Sequence, residues 1–419
     1  MSAPMIAWEP LVHRFFRYLT STGFSSSSAM FNDLPPVKVY NLEAATEKRL
    51  RTLKHLIKAN HINYAIFSKD FNSKNNLPQL LCSAYLLGAD VQKLHEIYDK
   101  ESVRLDAWNA SPAEITHKEW RDYLGDKAYL RAYVDFFEDE LALRFDYDWK
   151  SLVQEYLFSG EGPLIHGIMS GLSHSLIRMS YAFEFSSREL AIEALAEACV
   201  SYDCLHKYLD NLSFTTPSSS FVSTSLHEIL DKIHNDKRLD NIFHARGSEN
   251  IKTFFSQYED YFLEYWNSWI IENPIKQFQD SQDIAIALLI QTVKPGTHAY
   301  DFSVAHILTT SHAVRVLLPL IPEQHQIGLI RQWWLITIAI YISQLRPEIS
   351  HDKIEISSGK DWKYVEHKAI CGSWATDADY VKIIIAMREA ASTWGDNRQQ
   401  YLAAAVRLTD DFDGWTRLS

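Results

Sequence analysis

The chain has 419 residues, of which 47% are hydrophobic and 22% are charged, and its formal net charge is -12 at pH 7. This composition is typical of a globular protein, and the acidic balance argues against nucleic-acid binding, which normally depends on a basic surface. The four cysteines are too few and too scattered for a disulfide framework or a thiolate zinc site. These features favour a reducing, cytoplasmic compartment.

The apolar stretches of the sequence are too short to predict a membrane span. The longest of them, WWLITIAIYISQL (333–345), contains about 13 residues, whereas a transmembrane helix needs about 20. We therefore expect this stretch to be a buried helix of a protein without a membrane span.

Taken in chain order, the sequence predicts an irregular segment followed by helices. Residues 1–42 are Ser-rich and Pro-containing and read as mostly irregular. From residue 43 onward apolar residues recur at helical spacing, and the Ser/Thr-rich stretch 213–225 is predicted to be a loop. Predicted helices include 42–60, 76–89, 111–125 (with Ser111 as its N-cap), 163–183, 301–320, 325–346 and 377–407. The sequence thus predicts an all-α fold, with one large multi-helix domain over 43–419 that encloses an interior pocket.

The stretch GPLIHGIMSGLSHSLIRMSYAFEF (162–185) is apolar enough to be core, yet it contains two histidines and an arginine. Within one helix, His174 and Arg178 lie at i and i+4 and share a face. His166, eight residues before His174, would look toward the same side. These side chains either line a substrate pocket, or Arg178 pairs with a buried acidic residue while the histidines hydrogen-bond to carbonyl groups.

Two further predicted helices carry polar residues among apolar ones. In DFSVAHILTTSHAVRVLLP (301–319), His306 lies among the apolar residues of a predicted helix. Thr309 follows within one turn, where its hydroxyl group would hydrogen-bond to the His306 ring or to a substrate oxygen. In SWATDADYVKII (373–384), Asp379 and Lys382 are three residues apart on a helix. Lys382 is either in a solvated pair with Asp379 or buried with a partner. A buried lysine has the chemistry of a catalytic base or nucleophile.

Taken together, these stretches resemble the questin oxidase-like family of fungal secondary metabolism. The resemblance extends over NHINYAIF with NNLPQLLCSAYLLGAD (60–90), over 173–185 and 301–319, and more weakly over 373–384. It implies an α-helical oxidoreductase that uses molecular oxygen on an aromatic polyketide such as an anthraquinone. The reaction implied is oxygen insertion or oxidative ring cleavage, by a Baeyer–Villiger-like or dioxygenase route.

The resemblance also implies a set of site residues and a cofactor, non-haem iron. The positions that match the family's residues are His61, His174, His306 and Lys382. Histidine positions of the family are occupied here by Ala65, Asn76, Gln79, Arg178 and Asp379. Asp379 with His174 and His306 would resemble a two-histidine, one-carboxylate iron triad. An arginine stays protonated and does not bind a metal.

Three functions therefore remain open from the sequence. In the first, an oxygenase, the metal ligands are His61, His174, His306, Asp379 and Lys382. In the second, the metal has been lost and a redox-neutral cyclase, isomerase or lyase acts on a polyketide or terpenoid intermediate. There His174, Arg178, His306 and Lys382 are the catalytic residues, and His166, Asn76, Gln79 and Thr309 bind the substrate. The third function is a non-catalytic binding protein.

Overall fold

The computed structural model describes residues 31, 33–71, 73–160, 162–215, 221–294, 296–298, 300–350, 354, 359–396 and 399–416. The predicted irregular segment 1–42 lies outside these residues except for residues 31 and 33–42, which form turns and extended chain. Residues 216–220 of the predicted loop also lie outside them. In the part of the chain that is described, the all-α prediction is confirmed.

The described residues form seventeen α-helices and one pair of very short strands. In chain order, the helices are α1 (Lys48–Asn63), α2 (Leu77–Leu86), α3 (Val91–Ser102), α4 (Leu130–Leu143), α5 (Trp149–Phe158), α6 (His174–Phe185), α7 (Arg188–Val200), α8 (Lys207–Asp210), α9 (Leu226–Asn235), α10 (Glu249–Gln257), α11 (Glu259–Ser268), α12 (Pro274–Ile290), α13 (Phe302–Leu317), α14 (Glu323–Ser343), α15 (Trp362–Cys371), α16 (Ala378–Trp394) and α17 (Gln400–Asp411). The strands β1 (Tyr300–Asp301) and β2 (Trp415–Thr416) pair in parallel, next to the start of α13. None of the described helices is both long enough and apolar enough to cross a bilayer.

Helix α13 lies at the centre of the fold. Every residue of it after Phe302 is buried, and it packs against α6, α12, α14 and α16. Its apolar residues are distributed around the helix, and a helix of this kind buries its surface among other helices. Its start is fixed by Asp301, whose carboxylate accepts a hydrogen bond from the backbone N–H of Val304 at 3.0 Å.

Side-chain contacts join four helices, α2, α6, α13 and α16. The His174 ring at the start of α6 meets the His306 ring of α13. Ser83 of α2 bonds to the Tyr181 hydroxyl of α6, and the carbonyl of Leu86 accepts from Arg388 of α16. The N-terminus of α6, with its partial positive charge, therefore lies at the histidine pair, where it favours a negative charge.

Three predicted helices are wrong in extent. The segment 377–407, predicted as one helix, forms two, because α16 ends at Trp394 and α17 begins at Gln400. The helix expected over 163–183 is interrupted: a 3-10 turn spans Leu164–Gly167, and α6 begins only at His174. The cause is a run of three left-handed residues, 171–173, which no α-helix accommodates. Residues 111–125 form turns, and Ser111 does not cap a helix of its own. Its hydroxyl instead accepts a hydrogen bond from the backbone N–H of Ala132 in α4 at 2.9 Å.

Candidate active site

Two histidines from different helices form the centre of the candidate site. His174 is the first residue of α6, and His306 lies just over one turn into α13. Their Nε2 atoms are 3.2 Å apart, and the ring planes meet at 65°. Both side chains are buried, with 9% of His174 and 1% of His306 exposed. The pair is thus an interior contact.

Burial favours the neutral form of both histidines. Burial holds the pKa of His174 well below its ordinary value, and the positive charges of Lys74 and Lys382 lower it further. Burial also lowers the pKa of His306, although the nearby Asp379 carboxylate acts in the opposite direction. An imidazole whose pKa lies below the ambient pH carries one proton and one lone pair on its ring nitrogens.

The hydrogen bonds of the pair fix which nitrogens carry these protons. His306 Nδ1 lies 3.0 Å from the carbonyl oxygen of Phe302, which only accepts, so Nδ1 must donate. Nε2 of a neutral His306 then has no proton and accepts from Nε2–H of His174. Nδ1 of His174 is left with a lone pair, and it has no hydrogen-bond partner among the described residues. The arrangement presents one unused basic nitrogen.

A buried ion pair lies beside the histidines, in the first turn of α16. Asp379 Oδ1 and Lys382 Nζ are 2.7 Å apart, and the exposed fractions of their side chains are 11% and 2%. Burial raises the pKa of Asp379, but Lys382 and His306 outweigh this and hold it below its ordinary value. Lys382 Nζ meets no other hydrogen-bond acceptor among the described residues. The buried form of the Asp379–Lys382 pair, rather than the solvated one, is therefore observed.

The structure brings together His174, His306, Asp379 and Lys382, whereas His166 lies apart from them. His166 is in the 3-10 turn before the left-handed residues, and its Nδ1 is 2.6 Å from Asp210 Oδ1. The other carboxylate oxygen of Asp210 is 2.6 Å from Nδ1 of His206. The prediction that His166 looks toward the same side as His174 is wrong, because it assumed an unbroken helix.

The three other residues predicted to bind substrate have few contacts. Gln79 of α2 is buried, and its Oε1 has no hydrogen-bond partner in the described part of the chain. Asn76 precedes α2 without capping it by its side chain. The Thr309 hydroxyl lies 3.4 Å from the carbonyls of Ala305 and His306 in its own helix. A role in substrate binding stays a prediction for Gln79, Asn76 and Thr309.

Arg178 is ion-paired in the core, which is the second of the two interpretations that the sequence left open. Its Nη1 donates to Glu193 Oε2 at 2.6 Å and its Nε to Glu197 Oε2 at 3.1 Å. Its Nη2 donates to the backbone carbonyl of Asn75 at 3.0 Å. With 1% of the residue exposed, the guanidinium is fully engaged by protein groups. Three of its five N–H donors are thus used by the protein itself, which assigns the side chain a structural role beside the site.

His61 belongs to the same buried network and lies apart from the histidine pair. Its Nδ1 is 2.9 Å from Glu193 Oε1, and its Nε2 is 2.9 Å from Glu138 Oε1. Burial alone would lower the pKa of His61, but the bonds to Glu138 and Glu193 raise it to about 9. A doubly bonded, protonated imidazole has no free nitrogen for a metal.

Sequence reasoning missed Lys74, Glu193 and Glu197. Lys74 Nζ lies 3.3 Å from Glu197 Oε1, and burial lowers its pKa to about 8. Glu193 and Glu197 are one turn apart in RELAIEALAEACV, a helix whose residues after Arg188 are all buried. Two acidic residues at i and i+4 inside an apolar helix require buried cationic partners. This pair of glutamates in an apolar helix was the sequence feature that could have predicted the buried ionic network.

Comparison with known proteins gives the family. The sequence model described as questin oxidase-like matches residues 73–387, which includes α2, α6, α13 and the first part of α16. The chain belongs to the questin oxidase-like family. The family assignment made from the four sequence stretches is confirmed.

The curated relatives of this questin oxidase-like protein are fungal. It is 28% identical to the "Baeyer-Villiger oxidase AgnL3" of Paecilomyces divaricatus, over 40% of this chain and 39% of the relative. It is 29% identical to the "Baeyer-Villiger oxidase mdpL" of Emericella nidulans, over 41% and 40%. It is 24% identical to the "Baeyer-Villiger monooxygenase AacuH" of Aspergillus aculeatus, over 49% and 44%. The alignments therefore span less than half the length of these relatives.

The described residues do not fit the iron centre that the resemblance implies. A non-haem iron triad needs two histidines and a carboxylate arranged around one point. His174 and His306 supply the imidazoles, but the Asp379 carboxylate is paired with Lys382 at 2.7 Å. Among the described residues, no three histidine, cysteine or acidic side chains are grouped to hold a metal ion. The positive charges of Lys74 and Lys382, which lower the pKa of His174, also oppose the binding of a metal cation beside that ring.

The start of α6 adds hydrogen-bond donors to this questin oxidase-like site. Ser173 stands at the N-cap position, but its left-handed backbone prevents its side chain from capping the helix. Its hydroxyl is buried and has no partner among the described residues. The first N–H groups of a helix need an acceptor, so the uncapped turn at His174 favours an anion. The site therefore combines a basic nitrogen with groups that stabilise negative charge.

Proposed function

We propose that this protein is an oxygenase of fungal secondary metabolism that inserts oxygen into, or oxidatively cleaves, a ring of an aromatic polyketide such as an anthraquinone. The observation that carries the proposal is the buried histidine pair, in which His174 Nδ1 keeps a free lone pair. The relatives named Baeyer-Villiger oxidases support the oxidative chemistry. The resemblance to the family supports the substrate class.

In this mechanism His174 is the general base. Its Nδ1 removes the proton of a phenolic or enolic hydroxyl group of the substrate, and the positive charge that forms on the ring is delocalised over both nitrogens. His306 accepts the Nε2–H hydrogen bond and so holds the ring orientation throughout. Positioned general bases typically contribute about 10²- to 10⁴-fold to a rate.

The surrounding positive groups stabilise the substrate anion. Lys382 and the uncapped N-terminus of α6 lie beside the histidine pair, in surroundings shielded from water where such interactions are strongest. An anion formed by loss of a hydroxyl proton shares its charge with a neighbouring ring carbon. This carbon is the atom that becomes reactive towards oxygen.

Oxidative ring cleavage needs molecular oxygen and no other co-reactant. O₂ bonds to the anionic carbon, the substrate supplies both electrons, and return of one proton from His174 gives a hydroperoxide. The outer peroxide oxygen then bonds to the carbon of an adjacent ring carbonyl, and the four-membered ring that forms opens by breaking its O–O bond and its C–C bond, which leaves a carbonyl group on one carbon and a carboxyl group on the other. Both atoms of O₂ stay in the product. We propose that these steps run on the side chains of the site without a metal.

The same base would also serve a redox-neutral cyclase, isomerase or lyase, because such enzymes begin with the same proton abstraction. The buried Asp379–Lys382 pair beside the histidines favours this second function equally. The two functions differ in whether O₂ is consumed. We further propose a cytoplasmic protein, since the two buried cysteines, Cys82 and Cys199, are free thiols.

The deciding experiment incubates the purified protein with a panel of hydroxylated anthraquinones, with and without O₂. Product formation is measured in both cases, and O₂ uptake is measured where O₂ is present. The proposal predicts O₂ consumption equal to product formed, and label from ¹⁸O₂ in the product. Turnover that continues without O₂ would instead establish the redox-neutral function. Failure of every panel member, with the same result for non-anthraquinone polyketides, would contradict both functions.

A further inference from the structure

The turn before His174 has an unusual backbone conformation. Gly171, Leu172 and Ser173 have φ values of +62°, +60° and +64°, so three successive residues are left-handed. For a residue with a side chain this conformation costs about 1–2 kcal/mol. Leu172 and Ser173 are therefore strained, and the strained segment ends at the proposed base.

Glycine at the first position of this turn avoids a tight side-chain contact. A Cβ atom added to Gly171 would lie 3.2 Å from the Ser201 hydroxyl oxygen and 3.7 Å from Lys74 Nζ. The turn thus packs tightly against the end of α7 on one side and against Lys74 on the other. Backbone strain of this kind persists only where the surrounding structure imposes it.

Lys74 is the side chain that fastens the turn. Its Nζ donates a hydrogen bond to the backbone carbonyl of Gly171 at 3.1 Å. The same ammonium group is 3.3 Å from Glu197 Oε1 and lies 5.1 Å from the centre of the Phe67 ring. One flexible side chain from the segment before α2 is therefore held by two groups, Glu197 and the Phe67 ring, while it holds the turn before α6.

Lys74 is itself anchored by the buried ionic network. Glu197 bonds through its other oxygen to Arg178, and Arg178 bonds to Glu193. Glu193 bonds to His61, and His61 to the partly exposed Glu138. The chain of contacts connects α1, α4, α6 and α7 to the single carbonyl of Gly171. Buried charges in such networks fix geometry more reliably than they add stability.

We infer that Lys74 is a positioning residue: by holding the Gly171 carbonyl it keeps the left-handed turn in place and thereby orients the ring of His174. This inference rests on the proposed function, in which His174 is the base. Lys74 acts through the turn and does not itself touch the substrate. Its charge also lowers the pKa of His174, which helps to keep that ring neutral.

The test compares Lys74→Met, which removes the donor, with Lys74→Arg, which keeps a positive donor on a long side chain. The matched control is Lys54→Met, because Lys54 is a lysine in an exposed pair with Glu43. A double variant, Lys74→Met with Glu197→Gln, also removes the carboxylate charge that loses one of its two cationic partners, Lys74 and Arg178, in the single variant. It keeps the test open in case Lys74→Met alone fails to fold. Circular dichroism verifies folding.

Two readouts are measured on these variants. The first is amide hydrogen exchange of the peptide that contains residues 170–176, which does not depend on any substrate. The second is kcat and KM for O₂ uptake with the substrate found as described above. Loss of one backbone-directed hydrogen bond corresponds to about tenfold faster local exchange. Misplacement of a base by about 1 Å corresponds to a fall in kcat of up to about 100-fold.

The inference predicts faster exchange and lower kcat with nearly unchanged KM for Lys74→Met and for the double variant, and recovery of both in Lys74→Arg. It is overturned if exchange in 170–176 is the same in Lys74→Met as in Lys54→Met, or if Lys74→Arg is as impaired as Lys74→Met. An inactive wild-type protein with the exchange difference intact would refute the proposed function while leaving the role of Lys74 in the turn supported.

Discussion

The Nε2 atoms of His174 and His306 are 3.2 Å apart, although the two residues are separated by 132 positions in the sequence. Each occupies the first or second turn of its own helix. The contact fixes the proton positions of both rings because His306 also donates to the Phe302 carbonyl.

Replacement of each histidine should distinguish the role of His174 as the base from the role of His306 as its hydrogen-bond acceptor. His174→Gln removes the base, so kcat/KM should fall by about 10²- to 10⁴-fold. His306→Gln offers an amide oxygen to His174 Nε2–H and should retain more activity than His306→Leu, which offers no acceptor. Steady-state O₂ uptake measures all three variants. His206→Asn, a change at a histidine outside the pair, is the control; equal losses in the two His306 variants would contradict the accepting role.

The Asp379–Lys382 pair should behave as a buried ion pair. Asp379→Leu or Lys382→Met alone leaves one charge unpaired in the core, which typically costs about 3–5 kcal/mol. The double variant removes both charges and should be less destabilised than the sum of the two changes. Urea denaturation of the four proteins gives the coupling free energy. Additive effects would show that the pair is not coupled in solution.

His61 should make folding stability depend on pH in the alkaline range. Its folded pKa is about 9, above the unfolded value of 6.5, so its contribution is fully present below pH 6.5 and is lost as the pH rises through 9. Since its partner Glu138 is partly exposed, we expect about 1–3 kcal/mol. The gap in unfolding free energy between wild type and His61→Asn should narrow from pH 6 to pH 9. A gap that widens would contradict the protonated state of His61.

The convergence of the three helices was predictable from the sequence. His174, His306 and Lys382 each interrupt an apolar stretch, and polar groups buried in this way require one another or a common cavity. The presence of helices around His306 and Lys382 was also predictable, because apolar periodicity defines long helices well, whereas the start of α6 at His174 was not. The enclosed pocket expected beside these residues stays a prediction.

The orientation of the site was not predictable from the sequence. Leu172 and Ser173 rarely adopt positive φ, so sequence patterns extend the helix through them and wrongly align His166 with His174. The role of Arg178 was left open because its partners, Glu193 and Glu197, lie on the next helix. Which carboxylate pairs with which cation depends on packing between helices, and local sequence does not encode that directly.

Removal of metal should leave the reaction intact, because the base and the cationic groups belong to the chain. Protein purified without chelator should contain substoichiometric iron, and O₂ uptake should be unchanged after treatment with a strong chelator. Metal analysis and uptake assays on the same preparation test this. Loss of turnover in chelator that is restored by added Fe²⁺ would return Asp379 and the two histidines to the role of iron ligands.

The most direct test of the account is ¹⁵N NMR of the histidine rings at pH 7, with signals of the pair assigned from the His174→Gln and His306→Gln variants. The account predicts two neutral rings, with the proton of His306 on Nδ1 and that of His174 on Nε2. A proton on Nδ1 of His174, or a protonated ring at either position, would show that the base assigned to this site does not exist in the resting protein.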